Sequence, residues 1–313
     1  MPLKQLGFVD LPGHAGAGGF DHAAVHGPTG LVYVAHPAND AVDILDPQAR
    51  RHRGSIRGLP AVAGALVSDD SELVFTSNRG ENTVGIFAPP KAAVEGQPLV
   101  DKIEVGIRPN GLAFCPRHAR LLVAHVGDPA IAGSCTVSLV DVPARRRLAD
   151  LPVSGRTRWA VHDPVADVFH VNIMDPPEIV VVAAGDPLGI RRVVPIPHAG
   201  PHGLDIDVVR RRLFCACDAG VLLEIDADSG AILATESIAG VPDVVFFNAR
   251  LSHLYVAIGD PGVIEVFDTT PLRRHEVVRT EPGAHTLSFD AARNLVCAFL
   301  PETHRAAVYL DHA

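Results

Sequence analysis

The chain carries histidine and aspartate residues whose types and spacing suit metal or acid–base chemistry. His202, Asp243 and His285 follow one another at intervals of 41 and 42 residues, and Asp21 and His22 stand near the amino-terminal end. Imidazole and carboxylate groups brought together from separate segments are typical ligands of Zn²⁺, Mn²⁺, Fe²⁺ and Ni²⁺. A metal with an open coordination position could activate a bound water as a nucleophile or base.

We therefore expect a divalent transition metal, Zn, Mn, Fe or Ni, held by His202 and His285. The further candidate ligands are His22, His36 and His125. Three more residues are candidate catalytic groups, Asp243, Asp21 and Arg158. The carboxylates could serve as a metal ligand, a partner of a ligand or a base, and the arginine could hold a substrate carboxylate or phosphate. The alternative for each residue is structural, because histidine and aspartate at a turn often hydrogen-bond a neighbouring backbone.

The elements that would position these groups are short strands in a regular repeat. One apolar run recurs seven times, near residues 31–35, 73–77, 121–125, 168–172, 213–217, 254–258 and 295–299. Successive runs begin 42, 48, 47, 45, 41 and 41 residues apart. Alternating apolar and polar residues bounded by Gly, Asp and Ser indicate half-buried strands. A fixed period of this length with about four strands per unit is typical of a β-propeller.

The repeat predicts an all-β, seven-bladed propeller in a single domain, residues 1–313. The last unit stops after its third strand, while the chain starts with a spare strand at residues 5–11. We expect this amino-terminal strand to complete the last blade, which would close the ring and remove exposed sheet edges. A Pro-rich stretch at residues 88–98 is predicted to be a long loop inside the second blade.

Two stretches carry a resemblance to a known family. Residues 31–46, with LVYVA followed by NDAVDILD, and residues 109–114, PNGLAF, resemble the YVTN repeat of YncE-like seven-bladed propellers. The resemblance implies the propeller fold, and it extends over nearly the whole chain at the level of the repeat. YncE-like propellers are similar to lactonase-type and lyase-type propellers, which implies a hydrolase or lyase by analogy.

Propeller geometry predicts where the candidate residues meet. The first strand of each blade lines the channel, and its start lies on the same face as the end of the antiparallel second strand. The first position contributes Asp21 with His22, His202, Asp243 and His285, and the second contributes His36 and His125. We expect these side chains to surround one mouth of the channel, where a small polar or anionic molecule would bind.

Composition narrows the functional classes. The net charge is −9, from 27 basic and 36 acidic side chains, which argues against nucleic acid and anionic membranes as partners. No secretory signal or spanning segment is apparent, and the five cysteines are read as reduced core thiols, so a cytoplasmic location is expected. Two alternatives to a metal-dependent enzyme stay open: a non-catalytic propeller that binds a partner or small ligand, and a metal-binding protein without turnover. The sequence carries no signal for an oligomeric state.

Overall fold

The computed structural model describes residues 3–88 and 99–312, and it confirms the all-β prediction. Seven four-stranded antiparallel sheets form the blades of a propeller. Within the described ranges the helical structure is a single 3₁₀ turn, Pro37–Asn39, so no described helix is long or apolar enough to cross a membrane.

The chain enters the ring through an outer strand, β1 (Leu3–Asp10), and then builds each blade from the channel outward. Blade 1 consists of β2 (Ala23–His26), β3 (Leu31–His36), β4 (Ala41–Asp46) and β5 (Arg51–Arg57). Blade 2 consists of β6 (Val62–Ser68), β7 (Leu73–Asn78), β8 (Thr83–Phe87) and β9 (Leu99–Glu104). Blade 3 consists of β10 (Pro109–Cys115), β11 (Arg120–His125), β12 (Thr136–Asp141) and β13 (Arg146–Pro152).

Blades 4 to 7 continue in the same order. Their strands are β14 (Thr157–Asp163), β15 (Val168–Ile173), β16 (Glu178–Ala183), β17 (Ile190–Pro195); β18 (Pro201–Asp207), β19 (Arg212–Cys217), β20 (Val221–Asp226), β21 (Ile232–Ser237); β22 (Pro242–Asn248), β23 (His253–Ile258), β24 (Val263–Thr269), β25 (Leu272–Arg279); and β26 (Thr286–Asp290), β27 (Leu295–Leu300), β28 (Arg305–Asp311).

The predicted closure of the ring is confirmed. β1 is the fourth strand of blade 7 and pairs antiparallel with β28, from Leu3 opposite Asp311 to Asp10 opposite Arg305. Val9 is fully buried in the core that blade 7 shares with blade 1. The two ends of the chain are therefore held in one sheet by backbone hydrogen bonds and apolar packing.

The core lies between blades, because each sheet packs both of its faces against neighbours. One apolar cluster joins Leu122 of blade 3 to Phe169 of blade 4, and the other clusters are built in the same way. The second strands are accordingly buried on both faces, and all six residues of β3 are buried. The outer strands alternate between exposed and partly buried residues, as in β21. The loop predicted at residues 88–98 lies, apart from residue 88, outside the described residues.

The first strands of the seven blades surround a central channel. Adjacent blades contact one another through these strands, from β2 against β6 round to β26 against β2. The channel holds a cavity of about 570 Å³, and Leu66, Phe114, Val161 and Phe246 are among its apolar lining residues. The indole of Trp159 and the imidazole of His22, with ring centroids 4.2 Å apart, stand at the end of the channel where the first strands begin.

Candidate functional site

A polar cavity of about 370 Å³ occupies this end of the channel, which we call the mouth. Its lining comes from the starts of first strands and the turns beside them. The charged and polar residues that line it are Asp21, His22, Arg79, Asn110, Arg156, Arg158, His202, Asp243, Asp260 and His285. The five residues predicted at the first-strand positions, Asp21, His22, His202, Asp243 and His285, thus all line the mouth.

Asp243 links two histidines from the blades on either side of it. Its Oδ2 lies 2.6 Å from Nδ1 of His285, and its Oδ1 lies 3.2 Å from Nε2 of His202. The close approach of blade 5 depends on Gly203, because a Cβ there would lie 2.4 Å from the backbone oxygen of Asp243. One carboxylate therefore orients two imidazoles at the mouth.

His202 is held by carboxylates at both ring nitrogens. Its Nδ1 lies 2.7 Å from Oδ1 of Asp218, which follows the second strand of the same blade. Burial lowers the pKa of His202, but the hydrogen bonds to Asp218 and Asp243 outweigh it, and the net pKa is raised. Two carboxylate contacts favour the imidazolium, which donates from both nitrogens. His202 is thus held at both ring nitrogens, and neither nitrogen is free to act as a base.

His285 is the histidine of the pair whose Nε2 has no hydrogen-bond partner among the residues that the structure describes. Its Nδ1 donates to Asp243, and 37% of its side chain is exposed at the mouth. Burial lowers the pKa of His285, but the hydrogen bond and the charge of Asp243 raise it by more. The net pKa of His285 is therefore raised. Asp243 itself would have its pKa raised by burial, but its hydrogen bonds with His202 and His285 hold that pKa well below the ordinary value. An imidazole oriented in this way by a carboxylate presents Nε2 as an acid or base.

Asp21 and His22 precede the first strand of blade 1, which is the neighbour of blade 7 in the ring. Asp21 Oδ2 is 3.6 Å from Nη2 of Arg79, and Asp21 Oδ1 is 3.4 Å from Nε2 of His22. Burial against the ring of Trp159 lowers the pKa of His22. His22 is therefore a packed part of the cavity wall, where burial disfavours its charged form.

Arginine side chains add positive charge to the mouth. Arg158 lies with Nη2 3.6 Å from Oδ2 of Asp218 and 3.3 Å from the sulfur of Met174. Arg79 donates to the side-chain oxygen of Asn110. Burial lowers the pKa of both arginines, and the charge of Arg156 lowers each further. Within the described residues, the buried Nε atoms of Arg79 and Arg158 have no hydrogen-bond partner.

His36 and His125 do not reach the mouth, although the sequence predicted them there. His36 is fully buried and contacts Asp43 of the next strand at 2.7 Å and His14 at 2.7 Å. His125 is also fully buried, with Nδ1 2.8 Å from the hydroxyl of Thr136. Both side chains turn into their own blades, where they satisfy polar groups between strands.

A metal at the mouth was predicted from His202, His285 and their neighbours, and the geometry there offers few free ligand atoms. Both nitrogens of His202 and one of His285 face carboxylates. Among the described residues, two groups of side chains converge closely enough to share an ion, and neither includes a residue of the mouth. A metal at the mouth stays a prediction, and the function proposed below does not depend on it.

Asp260 and Arg156 line the mouth beyond the predicted set, and Asp218 lies beside it in contact with His202. Asp218 is the residue that follows the second strand of blade 5, the position at which the sequence pointed to His36 and His125. It reaches His202 because it lies one residue beyond β19, whereas His36 and His125 are the last residues of their strands. The signal that could have found it is its pairing with His202 in the same blade.

Comparison with known proteins supports the fold. No protein-family model matches the chain, and no curated protein matches it. A chain in a solved structure described as "Crystal Structure of Mitotic Checkpoint Complex" is similar, with a TM-score of 0.81 and 12% sequence identity. The similarity covers 99% of this chain and 92% of that chain. The protein is therefore of the seven-bladed β-propeller class, a likeness that at this identity concerns the fold alone.

Proposed function

We propose that the mouth binds a small molecule bearing a carboxylate or phosphate, and that His285 acts on it as a general acid or base. The observation that carries the proposal is the Asp243 carboxylate shared by His285 and His202, in a cavity that Arg79 and Arg158 also line. This arrangement supports a hydrolase or lyase of the class expected from the sequence. Membership in the YncE-like family remains part of the proposal.

The arginines support the choice of an anion. Arg79, Arg156 and Arg158 line the same cavity, and the carboxylates nearest Arg79 and Arg158, those of Asp21 and Asp218, lie at 3.6 Å, longer than a hydrogen bond. An oxyanion between these guanidinium groups would accept charge-assisted hydrogen bonds, which are stronger than neutral ones. A cavity of 370 Å³ lies within the usual range for small-molecule sites.

The histidine pair supports proton transfer. His202 has carboxylate contacts at both ring nitrogens, while His285 has one such contact and an accessible edge. Asp243 fixes the orientation of His285 and favours its protonated form after a proton has been taken up. Two histidines in contact with one carboxylate thus have different roles, set by how many acceptors each ring faces.

The test separates binding from turnover. Calorimetric titration of the purified full chain with succinate and with inorganic phosphate measures binding, with succinamide as the neutral control. Lactones and carboxylates with a leaving group β to the carboxylate are then screened for turnover. We expect binding of the anions but not of succinamide, loss of binding in the Arg79→Ala/Arg158→Ala double variant, and loss of turnover with retained binding in His285→Gln.

Two outcomes count against the proposal. Absence of binding by both anions rejects the anion site. Turnover in His285→Gln equal to that of the wild type rejects the acid–base role and favours the alternative of a non-catalytic propeller. The metal expected from the sequence is tested by elemental analysis of protein purified without a histidine tag, where a mouth site predicts loss of the metal in His202→Gln/His285→Gln.

A further inference from the structure

A second group of chemically reactive side chains lies at the opposite end of the first strands, between blades 3 and 4. Cys115 is the last residue of β10, and His162 is the second-last residue of β14. Asp167 lies in the turn before β15, and His118 lies in the turn before β11. Because these first strands begin at the mouth, their final residues lie on the other face of the ring.

The potential ligand atoms of this group converge. One ligand atom each from Cys115, His162 and Asp167 lie within 4.8 Å of one another, and the Cys115 sulfur is 3.9 Å from Oδ1 of Asp167. Nε2 of His118 is 2.8 Å from the other carboxylate oxygen, Oδ2. Thiolate, imidazole and carboxylate in one cluster are the donors that Zn²⁺ takes.

A further observation points to a ligand in this cluster. Nε2 of His162 is buried and has no hydrogen-bond partner within the described part of the chain. Gly185 allows the His118–Asp167 pair to pack against its backbone, because a Cβ there would lie 2.9 Å from Nε2 of His118 and 3.1 Å from Oδ2 of Asp167. A buried nitrogen without a partner is costly unless something binds it.

The surroundings of the sulfur suit a metal-bound thiolate. Cys115 is fully buried, and the backbone N–H groups of Arg117 and His118 hydrogen-bond to its sulfur. Amide hydrogen bonds to sulfur stabilise the negative charge of a thiolate. His118 holds Asp167 in place through the carboxylate oxygen that faces away from the thiol, as outer partners of metal ligands do.

We propose that Cys115, His162 and Asp167 bind a divalent transition metal of the zinc type between blades 3 and 4, with His118 as a positioning residue. On binding, the S–H bond of Cys115 breaks, a sulfur–metal bond forms and the proton passes to solvent. The metal joins two neighbouring blades, so it stabilises the folded chain as well. This site is separate from the mouth and does not depend on the function proposed there.

The other convergent group is a poorer site. His253, Asp268 and His275 lie on blade 6, where Asp268 already accepts from Arg273 and from His275, each at 2.8 Å. Nδ1 of His253 is 2.8 Å from Asp311. A guanidinium on the carboxylate opposes a cation there, so His275→Gln is the matched control.

The test is a Co²⁺ titration of the full chain, purified without a histidine tag and treated with a chelator. Thiolate bound to Co²⁺ gives a charge-transfer band in the near ultraviolet, and Zn²⁺ should displace the ion and remove the band. We expect about one equivalent of metal per chain and a rise in the unfolding temperature with Zn²⁺. His118→Gln should weaken Zn²⁺ binding by roughly 10–100-fold.

The variants decide between this site and others. Cys115→Ser should lose the band, and His162→Gln should weaken binding at least about tenfold, as the loss of a ligand requires. His275→Gln should titrate as the wild type does. The proposal is overturned if the wild-type protein gives no thiolate–cobalt band, or if folded Cys115→Ser keeps the band unchanged. If Cys115→Ser fails to fold, an unchanged metal affinity in His162→Gln overturns the proposal.

Discussion

Nδ1 of His285 lies 2.6 Å from Oδ2 of Asp243, while the other oxygen of the same carboxylate lies 3.2 Å from Nε2 of His202. This contact ties blades 5, 6 and 7 together at the mouth. It also makes the two histidines unequal, because His202 has a second carboxylate, Asp218, at 2.7 Å. The electrostatics of the mouth therefore depend on Asp243 more than on any single histidine.

Replacing Asp243 by Asn should lower the pKa values of both His202 and His285. Their folded-state values lie above 6.5, so their contribution to stability is full below pH 6.5 and is lost as the pH rises through the folded pKa. The free energy of unfolding of the wild type should thus fall relative to Asp243→Asn as the pH rises from below 6.5 through that range. Histidine NMR titrations measure the pKa values, and unchanged values in the variant would contradict the account.

Removing one arginine of the mouth should weaken anion binding without unfolding the protein. Arg79→Ala or Arg158→Ala removes a charge-assisted hydrogen bond, which corresponds to roughly a 10- to 100-fold loss of affinity for succinate or phosphate. Calorimetry measures the affinity. Arg51→Ala, on an exposed outer strand, is the control and should bind as the wild type does. Equal losses in all three variants would show a non-specific charge effect.

His36→Gln should affect stability and leave the mouth unchanged. The imidazole of His36 is fully buried between Asp43 and His14, and removing one partner of a buried hydrogen bond lowers the free energy of unfolding by about 1–3 kcal/mol. Burial raises the pKa of Asp43, but hydrogen bonds from His36, His52 and Ser55 lower it to about 2. In His36→Gln the pKa of Asp43 should rise. Denaturant unfolding measures the stability, and a loss of anion binding with normal stability would place His36 at the mouth after all.

Weakening the closing strand should destabilise the whole ring. Val9 of β1 is fully buried in the core of blade 7, and Val9→Ala should lower the free energy of unfolding by about 2 kcal/mol through lost burial and a residual cavity. Gln5→Ala, on an exposed position of the same strand, should have little effect. Similar stabilities of the two variants would argue against β1 as a closing element.

The repeat could be predicted because each blade satisfies the same local rules. Strand alternation and turn residues recur with one period, so the seven second strands and the closing strand lie where the sequence placed them. The first-strand positions could also be predicted, because the start of each first strand must face the channel. His202, Asp243 and His285 meet for that reason.

The second-strand positions could not be placed in the same way. All six residues of β3, ending in His36, are buried, so the alternation that distinguishes the two faces of a strand is absent. Successive side chains of a strand point to opposite faces, so a shift of one residue at the end of a strand reverses the direction of the side chain. His36 is the last residue of β3, whereas Asp218 lies one residue beyond β19. The group of Cys115, His118, His162 and Asp167 was missed because it forms across two blades and has no local spacing.

The most direct test of the central claim is a crystal structure of the full chain grown with succinate. The account predicts succinate in the mouth, with one carboxylate within hydrogen-bond distance of Arg79 or Arg158 and the molecule facing Nε2 of His285. A mouth without succinate at a concentration that saturates the calorimetric titration, or succinate bound away from these arginines, would contradict it.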